Sequence, residues 1–554
     1  MPRLVALAAL VLVLAAHTAL GFRDGWSRIN SDFPNYYTAA RLALEHKPLQ
    51  NFYEWEWFQR EADLAGVEHQ LTTYTPHTPF TLVPFLPLAQ LPPLTAKRVW
   101  LVLNLVMLGM LAWLVRRFAS TSWLVTVTLV LVCDFALRTN FAFGQYYILL
   151  TLLIGIACSV AAVPAGAILG LVFAFKLYTG PFLLYFAARR EWRALASMIA
   201  VIAGMIAAGI WWFGYQPLHF YATSILARAL DGEINDPYST AWASLSPILR
   251  RTFIAEPELN PSPLFQAPEL FFFFKTFITM GTLTLVLTAA WREGQEQSRL
   301  LLAWFLTALV AINPNLVSYH FVLLLIPVAL LYPFVSKPTL IALFALAELP
   351  WTGLRPVWLF ALFLFAGWRF LTGRRVAFAL AVAAIAGTGD ALLRDHQTLD
   401  AEYAVARPGE YFEARPVAWN GQVVYESIRG NQYTIESTAG TVYRGPSNAF
   451  FPRADGDTVT FDVASGEIQV VDECRKGVAS PDGTKLAYAC NESGGRHIFI
   501  EDRATGARRK ITQGRCLNSA PAWESNAILF QSDCNRGVGI TAIRRIKVDS
   551  FSRR

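Results

Sequence analysis

Asp32 heads the stretch Ser31-Asp-Phe-Pro-Asn-Tyr-Tyr37. A single carboxylate there can take the proton of an attacking hydroxyl as general base, or cap the short helix expected from near Pro34. Tyr36 and Tyr37 offer a stacking wall for a sugar ring, although a tyrosine pair is also an ordinary interfacial anchor. Lys176, in Phe175-Lys-Leu-Tyr178, lies near the end of an apolar run. A lone ammonium at that depth needs either an anion or a path by which to snorkel to the interface. Gln145, with Arg138 and Asn140 before it, makes a polar step between two apolar runs. Such a step can bind sugar hydroxyls or a phosphate, or merely cap helix ends. His320 closes Asn313-Pro-Asn-Leu-Val-Ser-Tyr-His320 and can share a proton, hydrogen-bond a phosphate, or sit hydrated at an interface. There is no Walker loop, dinucleotide fingerprint or His-Glu-x-x-His, so neither a nucleotide substrate nor a tightly bound metal or other cofactor is expected.

The elements that must position these residues are apolar. Of 554 residues, 54% are hydrophobic and only 16% charged, against about a quarter charged in a soluble protein. The charges are uneven: residues 397–554 hold 20 basic and 19 acidic side chains, while the preceding 396 residues carry theirs in short clusters between long apolar runs. This predicts a polytopic α-helical membrane protein over 1–395 with a water-soluble tail over 397–554. A soluble enzyme, a disordered chain and a nucleic-acid binder are excluded, and the net charge of +7 is read as membrane topology.

About thirteen spans are expected, at 4–21, 99–115, 121–137, 145–161, 164–178, 180–188, 194–213, 269–290, 300–314, 320–335, 338–352, 355–371 and 376–393. The first also fits a signal peptide by its short apolar core and basic flank, but lacks a convincing cleavage site. Pro181 predicts a broken or tilted helix at 180–188. Alternating the sides from a cytoplasmic N-terminus puts Arg116/Arg117, Arg189/Arg190/Arg193, Arg292/Arg299, Lys337 and Arg369/Arg374/Arg375 on the cytoplasmic side of a bacterial-type plasma membrane. Lys97/Arg98 is the cluster that breaks the rule. The long loops 22–97 and 214–268 then face outward with the C-terminus, and loops of that length are uncommon without a task. Asn51-Phe-Tyr-Glu-Trp-Glu-Trp-Phe58 suits a helix lying in the membrane interface.

The tail alternates short β-rich runs with turns: 422–426 then 432–435, 458–462 then 468–471, 485–489 then 497–501, and 527–531 then 539–543. Units recur every 30–40 residues, which predicts an all-β extracytoplasmic domain, propeller-like or a small sandwich. Cys474, Cys490, Cys516 and Cys534 lie within it and are expected to form two disulfides, with three pairings open. Cys133 and Cys158 fall in apolar spans and read as small core hydrophobes.

Several motifs, in order, resemble glycosyltransferase family 87. They are Ser31-Asp-Phe-Pro-Asn-Tyr-Tyr-Thr-Ala-Ala-Arg-Leu-Ala-Leu44, Asn51-Phe-Tyr53, Tyr74-Thr-Pro76, Leu86-Pro-Leu-Ala-Gln-Leu-Pro92, Gly144-Gln145, Phe175-Lys-Leu-Tyr178 and Asn313–His320. The resemblance implies a GT-C-like fold and an inverting mannosyltransferase that uses a polyprenyl-phosphate-sugar donor and a glycan or glycolipid acceptor at the membrane lipid. It implies that Asp32 is the general base, and that Lys176, His320, Gln145, Asn140, Tyr36 and Tyr37 bind substrate. Two departures from the family pattern stand out: Thr179 and Gly180 intervene between Tyr178 and Pro181, and a single histidine follows Tyr319. Within the tail, Ser480-Pro-Asp-Gly-Thr-Lys-Leu-Ala-Tyr-Ala489 followed by Ile498–Asp502 resembles a TolB-type propeller repeat. A flippase for lipid-linked saccharides would instead show ionisable groups at mid-membrane and repeat symmetry. A non-catalytic scaffold with a β binding domain would tolerate loss of Asp32.

Overall fold

The computed structural model describes residues 2–29, 32–67, 70–234, 236–239, 241–350, 353–394, 399, 401–405, 412–463, 474, 477–492 and 495–548. A helical body ends at Leu393 and an all-β domain follows.

Each expected apolar run is helical, but most of the helices are short. Among the described residues four are long and apolar enough to cross a bilayer: Pro93–Ala119, Trp192–Phe213, Pro268–Arg292 and Gly373–Leu393. A fifth follows if Trp123–Val132 and Asp134–Phe143, bent by 66° at Cys133, count as one broken span. Four or five of the thirteen expected spans thus pass the test of length and composition among the described residues. A helix of 10–15 residues rises only about 15–22 Å, short of the roughly 30 Å hydrocarbon layer. The expected break near Pro181 is present: helix Ala162–Phe175 stops at Lys176, a single turn spans Leu177–Thr179, and helix Phe182–Arg189 follows.

The first helix, Pro2–Ser27, lies against Asp134–Phe143 at close range. A Cβ on Gly21 would stand 2.3 Å from the Arg138 carbonyl oxygen, and one on Gly25 would stand 2.2 Å from that of Phe141. Small residues four apart on one face permit that approach. His17 pairs with Asp134 across this contact, and Arg138 reaches the other ring nitrogen. Cys133, read as a plain core hydrophobe, is buried and hydrogen-bonds Glu348 Oε1 at 3.2 Å. Lys97, the topological exception, is fully buried and donates to the carbonyls of Arg28 and Ala142 at 2.9 and 2.8 Å, so it fastens a loop and carries no topological signal.

The tail forms four antiparallel sheets. One runs through Glu413–Trp419, Gln422–Arg429, Gln432–Ser437 and Gly440–Tyr443, and a hairpin pairs Phe450–Asp455 with Thr458–Asp462. A third comprises Val478–Ala479, Lys485–Glu492, Gly495–Asp502 and Arg508–Lys510. The fourth comprises Asn518–Glu524, Ala527–Ser532 and Ala542–Lys547, with the early strand Glu402–Tyr403 added at its edge. Among the described residues these sheets close neither a barrel nor a propeller. The strand expected at 468–471 lies outside the described residues. The one expected at 539–543 begins only at Ala542, because Asp533 accepts from the N–H groups of Leu517 and Gly539 and holds the intervening segment as a loop. The disulfides join Cys474 to Cys490 and Cys516 to Cys534.

The β domain is seated on both long loops. Trp55 stacks on Phe412 with centroids 5.8 Å apart, Asn448 Nδ2 donates to Asp63 at 2.8 Å, and Arg496 donates to Glu54 at 3.2 Å. Arg228 pairs with Asp533 at 2.6 Å, and Arg536 pairs with Glu256 and Glu258, all buried. The aromatic stretch at 51–58, expected in the membrane interface, thus lies under the tail: helix Trp55–Leu64 buries Trp55, Glu56, Trp57, Phe58, Gln59 and Arg60. Its carboxylates meet arginines of the tail, a partner that a lipid surface does not provide.

Candidate active site

A cavity of about 660 Å³ lies inside the helical body, within the range of small-ligand sites. Asp32, His77, Gln145, Lys176 and His320 line one part of it, and Leu226, Leu230, Leu249, Ile278, Leu283 and Leu309 line an aliphatic part. One polar part beside one apolar part is the wall an amphipathic ligand requires.

Local sequence explains how Asp32 is held. Helix Asp134–Phe143 ends at Gly144, whose φ of +64° is left-handed. A Cβ there would lie 2.9 Å from that of Phe33, so glycine serves both the turn and the close approach. The turn projects Gln145, whose Nε2 donates to Asp32 Oδ2 at 2.9 Å while its Oε1 accepts from the Tyr36 hydroxyl at 2.7 Å. Asp32 is the first residue of helix Asp32–Leu44, yet its carboxylate is turned to this amide. Burial raises its pKa above the usual carboxylate range, more than the Gln145 hydrogen bond and the Lys176 and Lys97 ammonium groups lower it.

The opposite wall is made by two segments pinned together. Thr78 Oγ1 donates to the carbonyl of Ala174 at 2.6 Å, and Thr81 Oγ1 to that of Phe175 at 2.8 Å. Asn35 accepts from the Thr73 N–H at 3.0 Å and ties the same segment to the Asp32 helix. His77 and Lys176 are thereby brought together, Lys176 Nζ donating to His77 Nδ1 at 2.9 Å. Burial and then the ammonium charge push the His77 pKa well below its ordinary value, so its ring is neutral. The Lys176 ammonium also stands 5.6–5.9 Å from the ring centres of Tyr146 and Tyr36.

Four sequence-expected residues line the cavity, Asp32, Gln145, Lys176 and His320, and Tyr36 joins Asp32 through Gln145 in one hydrogen-bonded chain without lining it. His320 packs on Tyr147 at 4.1 Å between ring centres, and its Nδ1 accepts from the Val317 N–H at 3.0 Å, so the ring offers Nε2. Two others are placed elsewhere. The Tyr37 hydroxyl donates to the Leu91 carbonyl at 2.7 Å and does not line the cavity. Asn140 donates to the carbonyls of Ala136 and Tyr319 at 2.8 and 2.9 Å, and so fixes the chain before His320. Tyr36, expected as a stacking wall, is fully buried, with its ring between Phe85 and His77.

His77 was missed by sequence reasoning, although it directly follows the motif Tyr74-Thr-Pro76; a histidine has no period to betray it. Lys275 and Arg394, also on the cavity wall, were missed too. Both pair with Asp231, and Arg394 pairs again with Asp390 at 2.6 Å, so their charge is balanced within the protein.

The apolar helical body, with long apolar helices and a carboxylate and an ammonium on one cavity, has the character of an integral membrane protein. Residues 74–318 match the model of Glycosyltransferase family 87, a family to which this region of the chain is similar. The match includes His77, Gln145 and Lys176, while His320 lies just beyond it and Asp32 well before it. A stretch of 41 residues is 51% identical to the Tol-Pal system protein TolB of Xylella fastidiosa strains M12 and 9a5c, covering 7% of this chain and 9% of each relative. For strain Temecula1 the figures are 50% over 42 residues, 8% of this chain and 10% of the relative. The chain thus spans about a tenth of the length of these curated relatives.

Proposed function

We propose that this protein is an inverting mannosyltransferase that takes mannose from a polyprenyl-phosphate carrier and gives it to a glycan or glycolipid acceptor. The acceptor hydroxyl attacks the anomeric carbon as the bond to phosphate breaks, and Asp32 takes the hydroxyl proton. Polyprenyl phosphate leaves, and the configuration at the anomeric carbon inverts. The observation that carries the reading is the Gln145–Asp32 hydrogen bond of 2.9 Å in a cavity that also holds Lys176 and an aliphatic wall. A carboxylate whose pKa is raised accepts a proton more readily than an ordinary one, which suits a general base. The phosphate is already a good leaving group, so this scheme asks for no tightly bound metal. Gln145 orients the base, His320 hydrogen-bonds a substrate group, and membrane lipid surrounds the carrier's chain beside the aliphatic wall.

The charge clusters support a cytoplasmic N-terminus, which sets the reaction on the outer face of a bacterial-type plasma membrane, under an extracytoplasmic β domain. Purified protein in detergent, given radiolabelled polyprenyl-phosphate-mannose and lipid and glycan extract, tests the reading. Wild type is expected to transfer label and Asp32→Asn to lose about 10²–10⁴-fold. Equal transfer by both would remove Asp32 as the base. Transfer from a glucose or pentose donor in place of mannose would correct the sugar, and no transfer from any of them would overturn the reading.

A further inference from the structure

Strands Ala527–Ser532 and Ala542–Lys547 pair directly with each other, yet residues 533–541 run between them. A hairpin needs only about two to five linking residues, so the surplus calls for a task. The root of this loop is fastened inside the tail. Cys534 is bridged to Cys516, and the buried Asp533 carboxylate accepts from the N–H groups of Leu517 and Gly539 at 2.8 and 3.0 Å.

The rest of the loop is spent on the helical body. Val538 is 1% exposed and packs, with Leu517, into the same apolar core as the helices. Its N–H donates to the Glu233 carbonyl at 3.0 Å. Arg228 Nη2 donates to the carbonyls of Asp533 and Arg536 at 3.0 and 2.9 Å, and the Tyr238 hydroxyl donates to that of Asn535 at 3.0 Å. On the other side Gly539, at a φ of +80°, lies so close to Trp55 that a Cβ there would overlap the indole. One loop of the tail thus touches both long outer loops of the body.

Both contacts stand next to the cavity wall. Ala229 and Ile234, which line the cavity, directly follow Arg228 and Glu233. Two residues before Trp55, the Tyr53 hydroxyl donates at 3.0 Å to the carbonyl of His77, another lining residue. Several of these bonds go to main-chain groups, so they fix the path of the backbone as well as side chains. A wall ordered before its ligand arrives spares the binding step that ordering cost.

We propose that residues 533–540 of the tail form a positioning wedge for the transfer site. The wedge holds segment 226–234 in place, so that the aliphatic wall is formed before the lipid-borne donor enters. Its residues touch no substrate and act through Ala229, Ile234 and His77. The proposal rests on the function proposed above for the identity of the donor. It gives the β domain, which lies outside the stretch matched to the family, a task in the reaction itself.

Two variants loosen the wedge. Gly539→Val sets a side chain against Trp55 at a φ that glycine alone adopts freely, and Cys516→Ala with Cys534→Ala frees the root. Cys474→Ala with Cys490→Ala opens the other bridge of the tail and is the control. Full-length protein in detergent is read in two ways: hydrogen exchange over 226–234, and equilibrium binding of radiolabelled polyprenyl-phosphate-mannose. Both loop variants are expected to exchange faster over 226–234 and to bind the donor with a Kd raised several-fold, while the control matches wild type. Partial misfolding lowers binding capacity but leaves the Kd of the folded fraction unchanged, so a raised Kd separates positioning from mere stability. Unaltered exchange over 226–234 in both loop variants, or faster exchange with an unchanged Kd, would overturn the wedge. If exchange quickens but wild type binds no polyprenyl-phosphate-mannose, the transferase reading falls and the loop's hold on the cavity wall stands.

Discussion

Gln145 is shared between two residues of one helix: its amide nitrogen donates to Asp32 and its oxygen accepts from Tyr36. Because Tyr36 and Asp32 are four residues apart on helix Asp32–Leu44, one turn of helix and one side-chain amide fix the carboxylate's aim. The amide also sets the charge state, since its hydrogen bond favours the ionised form against burial.

Loss of that bond is expected to show in the pH profile. Asp32 acts ionised, so its raised pKa places the acid limb of kcat/KM above the ordinary carboxylate range. Gln145→Leu removes a contribution that lowers the pKa, and the limb should move further up while the activity plateau falls. A limb that stays put in the variant would separate Gln145 from the base.

The same shift has a stability consequence. A carboxyl whose pKa is higher folded than unfolded favours folding in its protonated form, and that contribution is lost as pH rises through the folded value. Asp32→Asn should therefore raise the melting temperature at pH 7 and leave it nearly unchanged at acid pH. Melting curves of both proteins at the two pH values decide it, and an equal shift at both would exclude the linkage.

The seam between the β domain and the loop at 214–268 rests on Arg228 and Asp533, 2.6 Å apart and buried. Removing the Asp533 charge leaves Arg228 with Glu233 alone, 2.9 Å away, at a cost of about 1–3 kcal/mol. Asp533→Asn is expected to destabilise the protein by that order. Asp533→Leu should cost more, because the N–H groups of Leu517 and Gly539 then lose their acceptor too. Chemical denaturation of the two variants measures the difference.

The bridges Cys474–Cys490 and Cys516–Cys534 close loops of 16 and 18 residues. Each is expected to contribute about 3 kcal/mol by restricting the unfolded chain. Protease should cut the β domain faster after mild reduction, with the helical body intact. Cleavage at the same rate before and after reduction would deny the bridges this role.

Gly21 faces backbone, not a yielding side chain, with the Arg138 carbonyl 2.3 Å from where a Cβ would sit. Gly21→Val should push the first helix off Asp134–Phe143 at a cost of about 1–3 kcal/mol. Asn140 on that helix fixes the Tyr319 carbonyl, so activity should fall with stability. Thermal inactivation in detergent is the readout.

Composition and spacing determined much of this protein. Apolar runs separated by charge clusters marked the apolar helices of the body, since each run had to leave water, but not the helices within the long loops. The alternating residues at 422–426 and 485–489 marked strands, and the ordered motifs marked the family and gathered Asp32, Gln145 and Lys176 as candidates. Hydropathy by itself does not reveal where Cys133 bends a helix or that a helix stops at Lys176. Nor does it give the partner of a polar side chain. Tyr37 and Asn140 sat in the right motifs but turned to backbone carbonyls, and the aromatic helix at 55–64 found the β domain in place of lipid. His77 entered the cavity because Thr78 and Thr81 bind carbonyls almost a hundred residues away. Such contacts join segments distant in the chain, so only the tertiary structure decides which donor meets which acceptor.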